Sequence, residues 1–199
     1  MERLAATVAT ASALFVGTNL DDIIVLAVLN ASSRAEGRPK AWQIWTGQYA
    51  GIAVLVVASL LAALGLTLLP ENRTWLLGIA PLVLGVYKLI LAVRARRSGA
   101  RGSAAVATGL AGVTAVTIAN GGDNIAAYTP VFRTSGADDI AVTIVVFALG
   151  VALWCAVGSW LVSHRKTLQI IERRGQAIIP AVFILIGLYI FYKGGVLDF

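Results

Sequence analysis

A single cysteine, Cys155, in 199 residues excludes both an intrachain disulfide framework and a cysteine-rich metal site. Charge is scarce as well. Only 13% of residues are charged, about half the share of a typical soluble domain, while 58% are hydrophobic. Long polar connectors are missing, which leaves no room for a large soluble domain. No Gly-x-x-x-x-Gly-Lys-Ser/Thr stretch occurs, so the chain lacks the loop that cradles ATP phosphates. The net charge of +6 would suit a nucleic-acid binder. The basic residues, however, sit in short connectors between apolar runs, where the positive-inside rule expects them. The expected partner is a lipid bilayer, with no nucleic acid.

Six apolar runs cover about residues 4–29, 42–69, 75–93, 106–132, 138–163 and 176–193. Each is near or above the roughly 20 residues that span a bilayer. The first, second, fourth and fifth are longer, which permits tilt or an internal break. Ala11-Ser12-Ala13 resembles a signal-peptide cleavage site. The stretch before it is weakly apolar and the run continues well past it, so an uncleaved first helix is expected. Arg34, Arg38, Lys40, Arg94, Arg96, Arg97, Arg101, Arg165, Lys166, Arg173 and Arg174 fall in the first, third and fifth connectors. Arg3, Arg73, Arg133 and Lys193 fall at the ends and in the other connectors. That bias places the odd connectors in the cytoplasm and both termini outside.

The chain divides at a basic, Gly- and Ser-bearing linker, residues 94–105, into halves 1–93 and 106–199. An offset of 102 brings Asp21 onto Asp123, Asp22 onto Asn124 and Ile23 onto Ile125, and also Gly85 onto Gly187 and Tyr87 onto Tyr189. Three spans per half would invert the second copy relative to the first. The expected fold is therefore an all-α membrane protein of six transmembrane helices, built as two inverted three-helix repeats. Such repeats commonly hold a site at their interface near the bilayer midplane.

Two motifs occupy that depth: Gly17-Thr18-Asn19-Leu20-Asp21-Asp22 and Ala119-Asn120-Gly121-Gly122-Asp123-Asn124. A carboxylate at the bilayer centre costs about 2.5–3.5 kcal/mol on insertion scales, so three of them there call for bound cations or protons. Gly121-Gly122 disfavours continuous helix by about 1 kcal/mol per glycine. Gly17-Thr18-Asn19 suits a break followed by a restarted helix, with Thr18 or Asn19 near its cap. The first and fourth helices are thus expected to break at the acidic motifs. Freed carbonyls, amides and carboxylates would make an oxygen-rich cage for a hard or borderline cation. Asp21 and Asp22 point about 100° apart on a helix. The repeat pairs Asp21 with Asp123 as central ligands and puts Asp22 and Asn124 in a second position. Asn19 and Asn120 are candidate amide ligands, with Thr18 beside them. The plain alternative is a hydrogen-bond cluster that only joins two helices, a task an amide or hydroxyl performs at lower desolvation cost.

Phe15 to Asp22, Gly47-Gln48-Tyr49 and Ala119 to Ile125 resemble the cadmium-resistance transporter family, within the lysine-exporter superfamily. The resemblance extends over nearly the whole chain. It implies a transporter rather than an enzyme, exporting Cd²⁺, with Zn²⁺ or Mn²⁺ open, across a bacterial cytoplasmic membrane. It implies no resident cofactor; the metal is the cargo. Moving a dication outward against 100 mV costs about 4.6 kcal/mol, at about 2.3 per charge. Protons are the expected coupling ion, since carboxylates can trade a metal for protons. Two alternatives stay open: an amino-acid exporter of the same superfamily, which lacks a basic anchor at the centre here, and an intramembrane aspartyl protease with Asp21 and Asp123 as a dyad.

Several further residues have two readings. Gln48 adds a carbonyl ligand or makes a helix–helix hydrogen bond. Gly47 and Gly51 permit close helix approach, within the chain or in a homodimer. Cys155 is expected as an apolar filler rather than a metal ligand. His164 is expected as a solvated helix-end residue, and Lys88 as a snorkelling one. Asp138 and Asp139 suit a helix start without any further role. Pro81 and Pro180 are expected to kink or begin helices. Trp42, Trp45 and Trp75 are expected as interfacial anchors.

Overall fold

The first apolar run folds as two helices bent by 58° at its acidic motif. The computed structural model describes residues 2–66 and 109–164, with isolated helical positions between 79 and 93 and at 184, 185 and 188. Among the described residues six helices are defined and there is no strand: α1 Glu2–Asn19, α2 Asp22–Glu36, α3 Ala41–Gly65, α4 Gly109–Asn120, α5 Gly122–Thr134 and α6 Ala137–Leu161. The third and sixth apolar runs, the basic linker, Trp75, Pro81, Lys88, Pro180 and the Gly85–Gly187 and Tyr87–Tyr189 matches lie outside the described residues or are described only as helical positions.

Helices α3 and α6 are each long and apolar enough to cross a membrane, and the α1–α2 pair, bent by 58°, makes up to three. At 25 residues each, α3 and α6 reach about 37 Å at 1.5 Å per residue, which exceeds the roughly 30 Å hydrocarbon core. They show large apolar side chains outward: Val57, Leu61 and Leu64 on α3, and Leu149, Leu153 and Trp160 on α6. Trp42 and Trp45 are exposed at the start of α3, where an interfacial anchor belongs.

Helix α2 runs past the apolar segment to Glu36. Its polar end stops where Gly37 adopts φ 70° and its N–H donates to the Ser33 carbonyl, 3.1 Å. A left-handed residue in this place costs glycine nothing. Helix α1, by contrast, ends at Asn19. Thr18 Oγ1 donates back to the Leu14 carbonyl and Asn19 Nδ2 to that of Phe15, both 2.9 Å. Asp21 caps the restart, without a side-chain cap bond, so Thr18 and Asn19 close one helix instead of opening the next. The reason is local: both side chains are already engaged one turn back.

Two parallel helix pairs build the core. Along α6, Asp139 meets Arg3, Gly150 faces Phe15, Trp154 reaches Asn19, Gly158 faces Leu26 and Ser163 accepts from Arg34, so α6 runs beside α1–α2 in the same direction. Along α3, Gly47 faces Val113, Gly51 faces Thr117, Gly121 faces Leu55 and the Leu66 carbonyl accepts from Arg133, so α3 runs parallel to α4–α5. The Gly47/Gly51 face is therefore taken up by packing within the chain. Tyr49 ties the two pairs together, its hydroxyl donating to the Ala148 carbonyl at 2.8 Å.

Asp139 departs from the sequence expectation. Besides opening α6, it accepts from Arg3 at 2.7 Å and from Thr7 Oγ1 at 2.8 Å, stapling α1 and α6 together at one end. Arg3 is 77% exposed, so the ion pair is screened and weak. Arg3→Ala should lower the melting temperature of detergent-purified protein only slightly, and molar salt should erase the difference from the parent.

Candidate cation site

The two breaks face each other at the crossing of the two pairs. Between α1 and α2 the break is Leu20-Asp21; between α4 and α5 it is Gly121 alone. Gly121 has φ −90° and ψ 20°, a conformation open to other residues. Its glycine is required by packing instead: a Cβ would collide with the Leu55 side chain of α3. The break brings α4's last residue, Asn120, against α2's first, Asp22.

Asp22 is 5% exposed, and both its oxygens are held. Asn120 Nδ2 donates to Oδ1 at 2.6 Å, and Gln48 Nε2 donates to Oδ2 at 2.8 Å. Thr117 Oγ1 donates to Gln48 Oε1 at 2.8 Å. Helices α2, α3 and α4 thus meet at one carboxylate, and both side chains that hold it are neutral. Asp123 is 6% exposed, Asp21 is half-buried, and both lie within electrostatic range of Asp22.

Thr18, Asn19 and Asn124 form a second cluster, centred on Tyr128. Asn124 Nδ2 donates to Asn19 Oδ1 at 2.9 Å. The Tyr128 hydroxyl lies 2.9 Å from Asn19 Nδ2, 3.1 Å from Asn124 Nδ2 and 3.0 Å from Thr18 Oγ1. Both amide nitrogens can only donate, and the Thr18 hydroxyl is 2.9 Å from the Leu14 carbonyl. The phenol therefore accepts from the amides and donates its proton to Thr18. The Asn19 carbonyl, freed by the break, accepts from Trp154 Nε1 at 2.6 Å. Phe15, Phe147 and Trp154 wall this cluster, with the Tyr128 and Phe147 ring centres 4.7 Å apart.

The two clusters are reciprocal. Asn120, before the second break, bonds Asp22, after the first; Asn124, after the second, bonds Asn19, before the first. One junction carries a charge and the other does not. Of the residues singled out from sequence, Asp22, Asn120 and Gln48 come together in the charged cluster, with Asp21 and Asp123 near it. Thr18, Asn19 and Asn124 belong to the neutral one. Sequence reasoning missed Tyr128, Trp154 and Thr117. Tyr128 stands one turn beyond Asn124, a spacing that would have flagged it; Trp154 carried no such signal.

Among the described residues no three carboxylate, imidazole or thiol side chains group closely enough to hold a metal. A cation here would need amide, hydroxyl or backbone oxygens beside the aspartates, a donor set suited to hard and borderline ions. Cys155 is fully buried in α6, and His164 is exposed at its end, stacked on Trp160 at 4.1 Å.

No curated protein and no solved structure matches the chain. A family model described as cadmium resistance transporter matches residues 15–199, a stretch that includes both breaks and both amides that hold Asp22, and the chain belongs to the cadmium resistance transporter family.

Proposed function

We propose that the protein exports divalent heavy-metal cations, Cd²⁺ foremost and Zn²⁺ as the nearest competitor, from the bacterial cytoplasm. Asp22, Asp123 and Asp21 supply the negative charge of the transport site, and Asn120, with backbone carbonyls at the two breaks, supplies neutral oxygens. The observation that carries this proposal is a buried carboxylate where two helix breaks meet, held by neutral amides. A positively charged guest offsets the cost of burying it. The neutral cluster around Tyr128 serves as the opposite, uncharged junction.

The reciprocal pairing of Asn120 with Asp22 and Asn124 with Asn19 supports two inverted repeats, 1–93 and 106–199, around a pseudo-two-fold axis between the breaks. The parallel α3 and α4–α5 pair supports six spans. Leu66 lies beside Arg133, and Gly47 beside Val113, as expected of second and fourth spans that run the same way in a six-span chain. The Arg and Lys bias then sets both termini outside. Rocking of one half against the other would open the site to each side in turn, with protons returning on the carboxylates as the metal leaves. Placement in the lysine-exporter superfamily belongs to the same proposal.

Proteoliposomes loaded with Cd²⁺ test it. An imposed pH gradient should accelerate metal release, and lysine should neither compete nor move. Flux indifferent to the gradient would refute proton coupling, and absence of any metal flux would refute export.

A further inference from the structure

Thr117 lies outside the acidic motifs, one turn before the second, and its hydroxyl reaches the Gln48 amide that holds Asp22. Thr117 is buried on α4, where Gly51 of α3 leaves room for it; a Cβ on Gly51 would stand 2.5 Å from both Thr117 Cβ and Cγ2. The hydroxyl lies 2.8 Å from Gln48 Oε1 and 3.1 Å from the Val113 carbonyl. Both are acceptors only, so the single proton goes to the nearer one. With Oε1 occupied in this way, the other end of the amide, Nε2, is the one that faces Asp22 Oδ2 at 2.8 Å.

We infer that Thr117 is a positioning residue for the metal site: by fixing the orientation of the Gln48 amide, it holds Asp22 ready for a divalent cation and keeps the Gln48 carbonyl away from that cation. The inference rests on the proposed transport site and deepens it. Gln48 then grips a ligand and is not itself one, which decides between its two sequence-level readings. The device needs a hydroxyl at position 117 and a glycine at position 51. Without the hydroxyl, Gln48 Oε1 loses its donor in a buried place and the amide is free to turn. Its oxygen would then oppose the Asp22 carboxylate, or compete with it as a hard ligand, and preference for softer cations would fall. Removing a hydrogen-bond partner that orients a metal ligand commonly costs about 10–100-fold in affinity.

The test combines Thr117→Val, Thr117→Ser, Gln48→Leu and the Thr117→Val/Gln48→Leu pair, each titrated with Cd²⁺ and Zn²⁺ by calorimetry and assayed in proteoliposomes. Thr117→Val should weaken Cd²⁺ binding at least about tenfold, with the loss appearing in KM more than in maximal rate and the Cd²⁺/Zn²⁺ preference narrowed. Thr117→Ser should restore both. Because Thr117 acts through Gln48, the double variant should be no worse than Gln48→Leu alone. Additive losses, failure of serine to rescue, or a loss confined to maximal rate would overturn the inference. Should the parent bind no divalent metal, the transport proposal fails by itself. Melting temperatures of the same four variants still test the Thr117–Gln48 coupling, and additive shifts there overturn it.

Discussion

An Asp22→Asn chain should fold, insert and fail to move cadmium. The substitution preserves shape, and its hydrogen-bond mismatch can be relieved. Two amide N–H groups, from Gln48 and Asn120, meet the carboxylate. An introduced amide offers one oxygen and one NH₂, so one donor would face another donor. Asn120, which is only partly buried, can turn its amide to present its oxygen, while Thr117 keeps Gln48 in place. The residual cost is about 1–3 kcal/mol, the range for a buried group left imperfectly paired. The electrostatic loss is larger. A unit-charge pair at 4 Å is worth about 4 kcal/mol at an effective dielectric near 20, and a dication doubles it. At about 1.4 kcal/mol per decade, even half of that sum removes about a thousandfold in affinity. Cadmium tolerance of expressing cells and uptake by proteoliposomes should both vanish, while the melting temperature shifts only modestly. Asp123→Asn should do the same, since that carboxylate is buried to the same degree. Asp21→Asn should retain part of the activity, because Asp21 is half-buried in the break. A fully protective Asp22→Asn variant would show the charge to be dispensable and the site misassigned.

That ordering differs from the one sequence symmetry suggests, and the difference has a physical origin. Carboxylates in apolar runs are legible because they are expensive in lipid, and glycines beside them are legible because they weaken helices. Both breaks could be anticipated on those grounds. Which of two consecutive aspartates turns inward depends on where within the motif the helix bends. That was set by Thr18 and Asn19 bonding back into α1, which moved the restart to Asp22. The offset of 102 matched Asp21 with Asp123, but the first break spans two residues and the second only one. Contacts between distant segments were unreadable for a different reason. Trp154 in the middle of a span looks like any apolar residue until Asn19 presents a freed carbonyl 135 positions away. Asp139 looks like an ordinary helix-start acid until Arg3 lies beside it. The glycines of α3 announced a close approach, yet only the folded chain names α4 as the neighbour.

Gly51→Ala should damage stability and metal binding together, whereas Gly121→Ala should be repairable. Alanine is favoured over glycine by about 1 kcal/mol within a helix, so any net loss has to exceed that gain. At Gly51 the added methyl would meet Thr117 Cβ and Cγ2, each at 2.5 Å. Cβ is fixed to the α4 backbone and cannot rotate aside, so α3 and α4 must separate. Overpacking of this kind costs about 1–3 kcal/mol, occasionally more. The separation also lengthens the Thr117–Gln48 bond, and the grip on Asp22 loosens with it. At Gly121 the obstruction is the branched end of Leu55, a flexible side chain whose trimming makes room. Leu55→Ala alone leaves a cavity worth about 2–5 kcal/mol. Combined with Gly121→Ala, it should recover part of that loss, giving a coupling energy of opposite sign to the single effects. Gly65→Ala is the control: among the described residues nothing lies within 4 Å of its added methyl, so it should be neutral or mildly stabilising. Thermal unfolding in detergent, paired with Cd²⁺ titration, separates the cases. If Gly51→Ala matched Gly65→Ala in both measurements, α3 and α4 could not be packed as closely as described, and the path from Gly51 through Thr117 and Gln48 to Asp22 would be broken at its first step.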